Sequence, residues 1–198
     1  VTVSDSKSNT WTALTKQSDG SNSRLRIWYA KNATVGTGHT FTVNSSTQYG
    51  SISASAFSGG HLTTPFDTGI ESGASTAGAT SLAPGSVTPS ENNCLLLTAL
   101  GNQDSNGSTA TTPSGYTGLN TVDRIAFGLG ISTAYLIQTT AGASNPSWSW
   151  TTSQRDSAVI ASFKSAAGGG GSVFMPPFKP PNLSGLGSGG SFFQDRLG

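Results

Sequence analysis

The residues that could support nucleophilic or metal chemistry are few in this chain. Its two histidines, His39 and His61, and its one cysteine, Cys94, are too few for a convincing zinc site. No G-x-S-x-G turn occurs in a context that would expose a nucleophilic serine. The oxygens of Asn102 to Asn106 lack the spacing and the acidic count of a calcium loop. The sequence therefore predicts no metal site.

Carboxylate pairs are the remaining candidates for catalysis. Glycoside hydrolysis needs two carboxyl groups roughly 5 to 9.5 Å apart. The acidic side chains of this chain fall mostly in turns, where an Asp side chain accepts hydrogen bonds from nearby backbone. The candidates for such a pair are Asp5, Asp19, Asp67, Glu71, Glu91, Asp104, Asp123 and Asp156. We therefore expect no enzymatic activity and no cofactor.

The composition argues against a nucleic acid partner and against a membrane span. Charged residues make up 10% of the 198 residues, and the formal net charge is +1. Because no basic patch or stripe is visible, we expect no nucleic acid partner. No apolar run reaches the roughly 18 to 20 residues that a membrane span needs, so we expect no membrane span. Cys94, in the apolar run CLLLTAL, is predicted to be a buried small hydrophobic residue.

Alternating apolar and polar residues predict strands. The segments RLRIWYA (24–30), HTFTV (39–43) and SISASAF (51–57) each alternate with period two, which is typical of a sheet with one buried face. The more apolar segments CLLLTAL (94–100) and AFGLGISTAYLI (126–137) predict central strands or strands covered on both faces. SWSW (147–150) and SAVIASF (157–163) complete the series, and residues 69–89 are either a long loop or two weak edge strands.

The fold class follows from these elements. No long segment has apolar residues at helical spacing, and many short strands joined by Gly and Asn turns favour a sandwich. We predict an all-β protein with an antiparallel, jelly-roll-like β-sandwich over residues 1–165. Residues 166–198 form an extended Gly/Pro-rich C-terminal arm in this prediction.

The positions of three tryptophans predict which of them are buried. Trp148 and Trp150 lie on one face of their segment, which favours burial in the core. Trp28 shares a face with Arg24 and Arg26, which favours a surface aromatic that contacts a glycan or lies in an interface. The sequence therefore predicts Trp28 as the possible surface contact.

Several phrases, in their order along the chain, resemble a known module. They are SDSKSNTWTAL (4–14), RLRIWYAKNATVGTGHTFTV (24–43), SASAFSGGHLTTPFD (53–67), NNCLLLTAL (92–100) and SAVIASFK (157–164). This pattern is similar to a β-sandwich module of bacteriophage structural proteins and secreted bacterial surface proteins. Relatives often carry an acid at the position of Ala56, so any role of that acid does not transfer. About two further strands usually precede the first phrase, so we expect N-terminal strands to be missing here.

The C-terminal arm is the most informative segment for function. It begins AAGGGG (166–171), a flexible hinge by composition, and continues with MPPFKPP (175–181), which predicts polyproline II. Large apolar side chains are spaced along it, and we predict that they bind a partner. They are Phe174, Met175, Phe178, Leu183, Leu186, Phe192, Phe193 and Leu197. The alternative is a disordered tail with incidental aromatics.

Taken together, the resemblance and the arm predict a non-enzymatic structural protein of a bacteriophage particle. It would decorate a capsid or form part of a tail or fibre, with the arm fastening it to other virion subunits and to copies of itself. Its location would be the virion. The alternative is a glycan-binding or adhesive module of a secreted or cell-surface protein.

Overall fold

The computed structural model describes residues 1–21, 23–44, 51–103, 110–124, 129–166 and 174. These residues form eleven strands and no helix, so the predicted all-β class is confirmed for the described part of the chain. Among the same residues there is consequently no helix long and apolar enough to cross a membrane.

The largest element is a five-stranded antiparallel sheet in the order β7-β11-β8-β10-β9. Its strands are β7 (Phe66–Leu82), β8 (Cys94–Asn102), β9 (Thr117–Arg124), β10 (Leu129–Gln138) and β11 (Trp148–Phe163). β8 is the middle strand, as its nearly uninterrupted apolar sequence predicts, and β7 and β9 lie at the edges. β7 and β11 are much longer than a usual strand of five or six residues and pair through several register shifts.

Alternate residues of the central strands enter two separate cores. On β8, Leu95 and Ala99 belong to one apolar cluster, whereas Leu96 and Leu100 belong to clusters that do not include them. Because successive side chains of a strand point to opposite faces, these clusters lie on opposite sides of the sheet. The expectation that CLLLTAL is covered on both faces is therefore confirmed.

Three short strand pairs come from the first part of the chain. They are β1 (Thr2–Asp5) with β6 (Phe41–Asn44), β2 (Thr12–Ala13) with β5 (Trp28–Tyr29), and β3 (Gln17–Ser18) with β4 (Arg24–Leu25). Leu14, Leu25 and Ile27 from this region pack in the same cluster as Leu95 and Val159 of the sheet. The N-terminal region therefore covers one face of the five-stranded sheet.

The opposite face is covered by loops and by the start of β11. Trp148 and Trp150 are 1% and 5% exposed and pack with Leu100 and Ala134, so their predicted burial is confirmed. The indole N–H of Trp148 donates to Thr98 Oγ1 at 3.1 Å, which satisfies its polar atom. Val87, from the loop after β7, closes the third cluster with Leu96 and Ile160.

Two sequence expectations differ from the structure. Residues 69–89 contain most of the single long edge strand β7 rather than a loop or two strands. Gly73 within it allows the Gln17 side chain to lie against its backbone, because a Cβ at this position would overlap Gln17 Cγ. Residues 51–57 are not a strand, and their burial does not alternate; Phe57 packs against Tyr135 at a ring separation of 5.3 Å.

Candidate functional site

Asp5 lies at the centre of a hydrogen-bond network that closes the N-terminal loop. Its carboxylate accepts from the backbone N–H of Lys7 at 2.8 Å, the backbone N–H of Asn9 at 3.2 Å and the indole N–H of Trp11 at 2.6 Å. His39 Nε2 lies 3.4 Å from Asp5 Oδ1, and the Asp5 side chain is fully covered. The carboxylate is therefore used to hold backbone and indole groups in place.

The surroundings of Asp5 keep it ionised. Burial raises the pKa of this carboxyl, but the hydrogen bonds from Asn9, Trp11 and Lys7 outweigh burial and hold the pKa at about 2, against an ordinary 3.8. Asn9 in turn exchanges two hydrogen bonds with the backbone of Thr34, at 2.9 and 2.7 Å. A carboxylate so acidic is a poor general acid, and its acceptor positions point at structural donors.

Asp67 is a second structural carboxylate, at the start of β7. It accepts from the hydroxyl of Ser90 at 2.6 Å, the backbone N–H of Ser90 at 2.8 Å and the hydroxyl of Ser162 at 3.2 Å. Lys164 Nζ lies 3.5 Å away. Burial raises its pKa, but the bonds from Ser90 and the charge of Lys164 lower the pKa below its ordinary value. Asp67 therefore ties the loop after β7 to the end of β11.

The histidine and cysteine side chains also have structural surroundings. His61 Nδ1 accepts from the backbone N–H groups of Thr63 and Thr64, at 3.4 and 3.1 Å, and so shapes its own loop. Cys94 is completely buried, as predicted, and burial raises the pKa of its thiol. No group of three or more His, Cys, Asp or Glu side chains that could hold a metal ion occurs among the described residues.

One small cleft opens between the N-terminal region and the edge of the sheet. It has a volume of about 100 Å³, and its lining includes Leu14, Thr15, Ile27 and Glu71. Both carboxylate oxygens of Glu71 accept from Thr15, one from its hydroxyl at 2.8 Å and one from its backbone N–H at 3.1 Å. The cleft is much smaller than the roughly 300 to 1,000 Å³ of typical small-molecule pockets.

Trp28, the predicted surface aromatic, is half-buried on β5. The guanidinium carbon of Arg26 lies 5.7 Å from the centre of its ring, which is within the range of a cation–π contact. Tyr29, the next residue, faces inward and packs edge-to-face against Phe163 with a ring separation of 5.6 Å. Trp28 and Arg26 therefore form an aromatic and cationic pair on the side of β5 that faces away from the sheet.

Phe174, the first predicted arm contact, is 4% exposed and belongs to the core cluster of the body. Its ring lies over Gly60, where a Cβ would be 3.2 Å from the ring Cε1. The sequence did not predict that Gly60 contacts Phe174, because the pair Gly59-Gly60 indicates only a turn. The other predicted arm contacts lie outside the described residues, and they are Met175, Phe178, Leu183, Leu186, Phe192, Phe193 and Leu197.

Comparison of the chain with family models, with curated proteins and with solved structures found no match. The resemblance to phage and surface-protein modules therefore remains a prediction from the sequence phrases. The structure shows what some residues of two of those phrases do. Asp5, Asn9 and Trp11 belong to one hydrogen-bond network, and Asp67 joins the loop after β7 to the end of β11. Such bonds constrain how the loops fold rather than which reaction takes place.

Proposed function

We propose that this protein is a non-enzymatic structural component of a bacteriophage particle, either a capsid decoration or a part of a tail or fibre. Its body is a jelly-roll-like β-sandwich, and its C-terminal arm fastens it to neighbouring subunits, including copies of itself. In this proposal it works in the virion, outside the host cell.

The absence of a usable reactive centre among the described residues supports a structural role. The buried carboxylates of Asp5 and Asp67 are occupied by structural donors, and both have lowered pKa values. Glu71 is bonded to Thr15 at the mouth of a cleft that is too small for most substrates. These side chains stabilise loops, as a rigid assembly unit requires.

The observation that carries the proposal is the composition of the chain beyond Phe174. Residues 175–198 contain three phenylalanines, one methionine and three leucines among glycines and prolines, with few charges. Full burial of a Phe side chain contributes about 1.5 to 3 kcal/mol, whereas leaving it in water contributes nothing and favours aggregation. Several such side chains spaced along one segment suit docking on a neighbour, and symmetric repetition adds avidity.

Removal of residues 175–198 tests the proposal. Sedimentation velocity of the full chain should show assemblies larger than a monomer, and the shortened chain should sediment as a folded monomer with unchanged circular dichroism. A matched control replaces Ser184, Ser188 and Ser191 of the same segment by Ala and should assemble normally. Equal assembly of the full and shortened chains would refute the role of the arm.

A second function is favoured by Trp28 and Arg26. An aromatic ring can stack on a sugar, and a guanidinium beside it can pair with an acidic group of that sugar. In this reading the protein is a glycan-binding or adhesive module of a secreted or cell-surface protein. A glycan-array signal that is lost in Trp28→Ala, but kept in a chain lacking residues 175–198, would favour this function over the first.

A further inference from the structure

The point at which the arm leaves the body is defined by Phe174. The last described backbone contact before it is the N–H of Ala166, which donates to the carbonyl of Gly59 at 2.8 Å. Gly60 and Ser165 form an antiparallel bridge beside this contact. The same strip of chain, at Gly60, lies under the ring of Phe174. Residues 59–60 therefore contact both the chain just after β11 and the ring of Phe174.

The ring also joins the interior of the body. Phe174 packs in the cluster that contains Leu14 and Leu25 of the N-terminal region and Leu95 and Phe163 of the sheet. It is less exposed than Phe163 itself, at 4% against 7%. Phe174 is thus a core residue by its contacts, although it follows a glycine-rich segment.

We propose that Phe174 is an anchor within its own chain and not a contact to a neighbour. It fixes the root of the arm, so that the segment offered to another copy begins at Met175. This inference rests on the proposed function only for what residues 175–198 do. It removes Phe174 from the predicted partner contacts. At roughly 3.3 Å per residue, it also shortens the greatest reach of the arm from about 100 Å for residues 168–198 to about 80 Å for residues 175–198.

Chain length favours the ring of the same chain over that of a neighbour. Seven residues, 167–173, join Ala166 to Phe174, and eight extended steps span at most about 26 Å. A connection this short gives the ring an effective concentration on the order of millimolar at its own site. A neighbour's ring would have to reach a similar local concentration to displace it.

Chymotrypsin cleavage tests the anchor on the intact chain. The bonds Phe174–Met175 and Phe178–Lys179 each have a proline as the second residue after Phe, but their other flanking residues differ. The ratio of the two cleavage rates in the urea-unfolded chain therefore serves as the reference by which the native rates are corrected. In the native protein, diluted until it sediments as a monomer so that no neighbouring copy covers Phe178, we expect cleavage after Phe178 to be at least tenfold faster than cleavage after Phe174. Mass spectrometry should show a fragment of residues 1–178 accumulating before one of residues 1–174. Equal rates at the two bonds in the native chain would overturn the proposal.

Gly60→Val provides the converse test. Its side chain would occupy the space of the Phe174 ring and leave Phe174 itself unchanged, so the two cleavage rates should become equal. Gly78→Val is the control, because a Cβ there meets only Ser153 Oγ at an ordinary 3.5 Å. Persistent protection of Phe174 in a folded Gly60→Val would also overturn the anchor. If Gly60→Val does not fold, the native ratio still decides.

The test of the Phe174 anchor and the test of the proposed function can fail independently of each other. Loss of assembly on removal of residues 175–198, together with equal cleavage after Phe174 and Phe178, would retain the arm and reject the anchor. Protection of Phe174 with unchanged assembly in the shortened chain would retain the anchor and reject the arm.

Discussion

Replacement of Asp5 by Asn is the substitution whose effect the structure defines most fully. Asn has the shape of Asp but no charge, and its NH₂ group must face one of the donors that now point at the carboxylate. Those donors are the N–H groups of Lys7, Asn9 and Trp11. We therefore expect Asp5→Asn to destabilise the protein at neutral pH.

The magnitude follows from the pKa of Asp5. A decrease from 3.8 to about 2 corresponds to about 2 kcal/mol, since one pKa unit is worth about 1.4 kcal/mol. Because the folded state has the lower pKa, this stabilisation is fully present above about pH 4. It is lost as the pH falls towards 2, where the folded protein also takes up the proton. Asp5→Asn lacks this contribution at every pH.

Urea denaturation at pH 6, 4 and 2 measures the effect. The difference in unfolding free energy between the native protein and Asp5→Asn should shrink by about 2 kcal/mol from pH 6 to pH 2. Asp19 and Asp67, whose pKa values are also lowered, are present in both proteins and cancel in the difference. Glu91→Gln, at an exposed carboxylate, is the matched charge control and should show a much smaller change. A difference that stays constant with pH would refute the reasoning.

Two further predictions concern the core. Trp148→Ala should cost about 3 to 5 kcal/mol in urea denaturation, because it removes a large buried side chain and its hydrogen bond to Thr98. The control Trp28→Ala, at a half-buried site, should cost about 1 kcal/mol or less, and equal costs would contradict the assigned burial. Cys94 should resist a thiol reagent at pH 8 in the native protein and react in urea; rapid native modification would contradict its complete burial.

The sequence predicted best where one pattern had one structural solution. CLLLTAL has apolar residues at both its odd and its even positions, and only a strand that is covered on both faces of the sheet buries both sets. Trp148 and Trp150 share a face with serines opposite, and both are buried. RLRIWYA also alternates, but the structure divides it into two short strands, 24–25 and 28–29. These pair with different partners, which local alternation does not encode.

The parts that the sequence did not predict depend on distant contacts. β7 is rich in Gly, Ala, Ser and Thr, which are weak strand signals, and it becomes a strand because β11 pairs with it along most of its length. Phe174 follows four glycines, so local composition separates it from the body. Its burial depends on Gly60, more than one hundred residues earlier, where the absence of a side chain leaves room for the ring.

A density map of the assembled protein from electron cryomicroscopy tests the central claim most directly, because it shows where residues 175–198 run. We predict continuous density for these residues on the surface of a neighbouring subunit, with Phe178, Phe192 and Phe193 covered by that neighbour. Density for the same residues on their own body, or an assembly whose interfaces do not include them, would contradict the account.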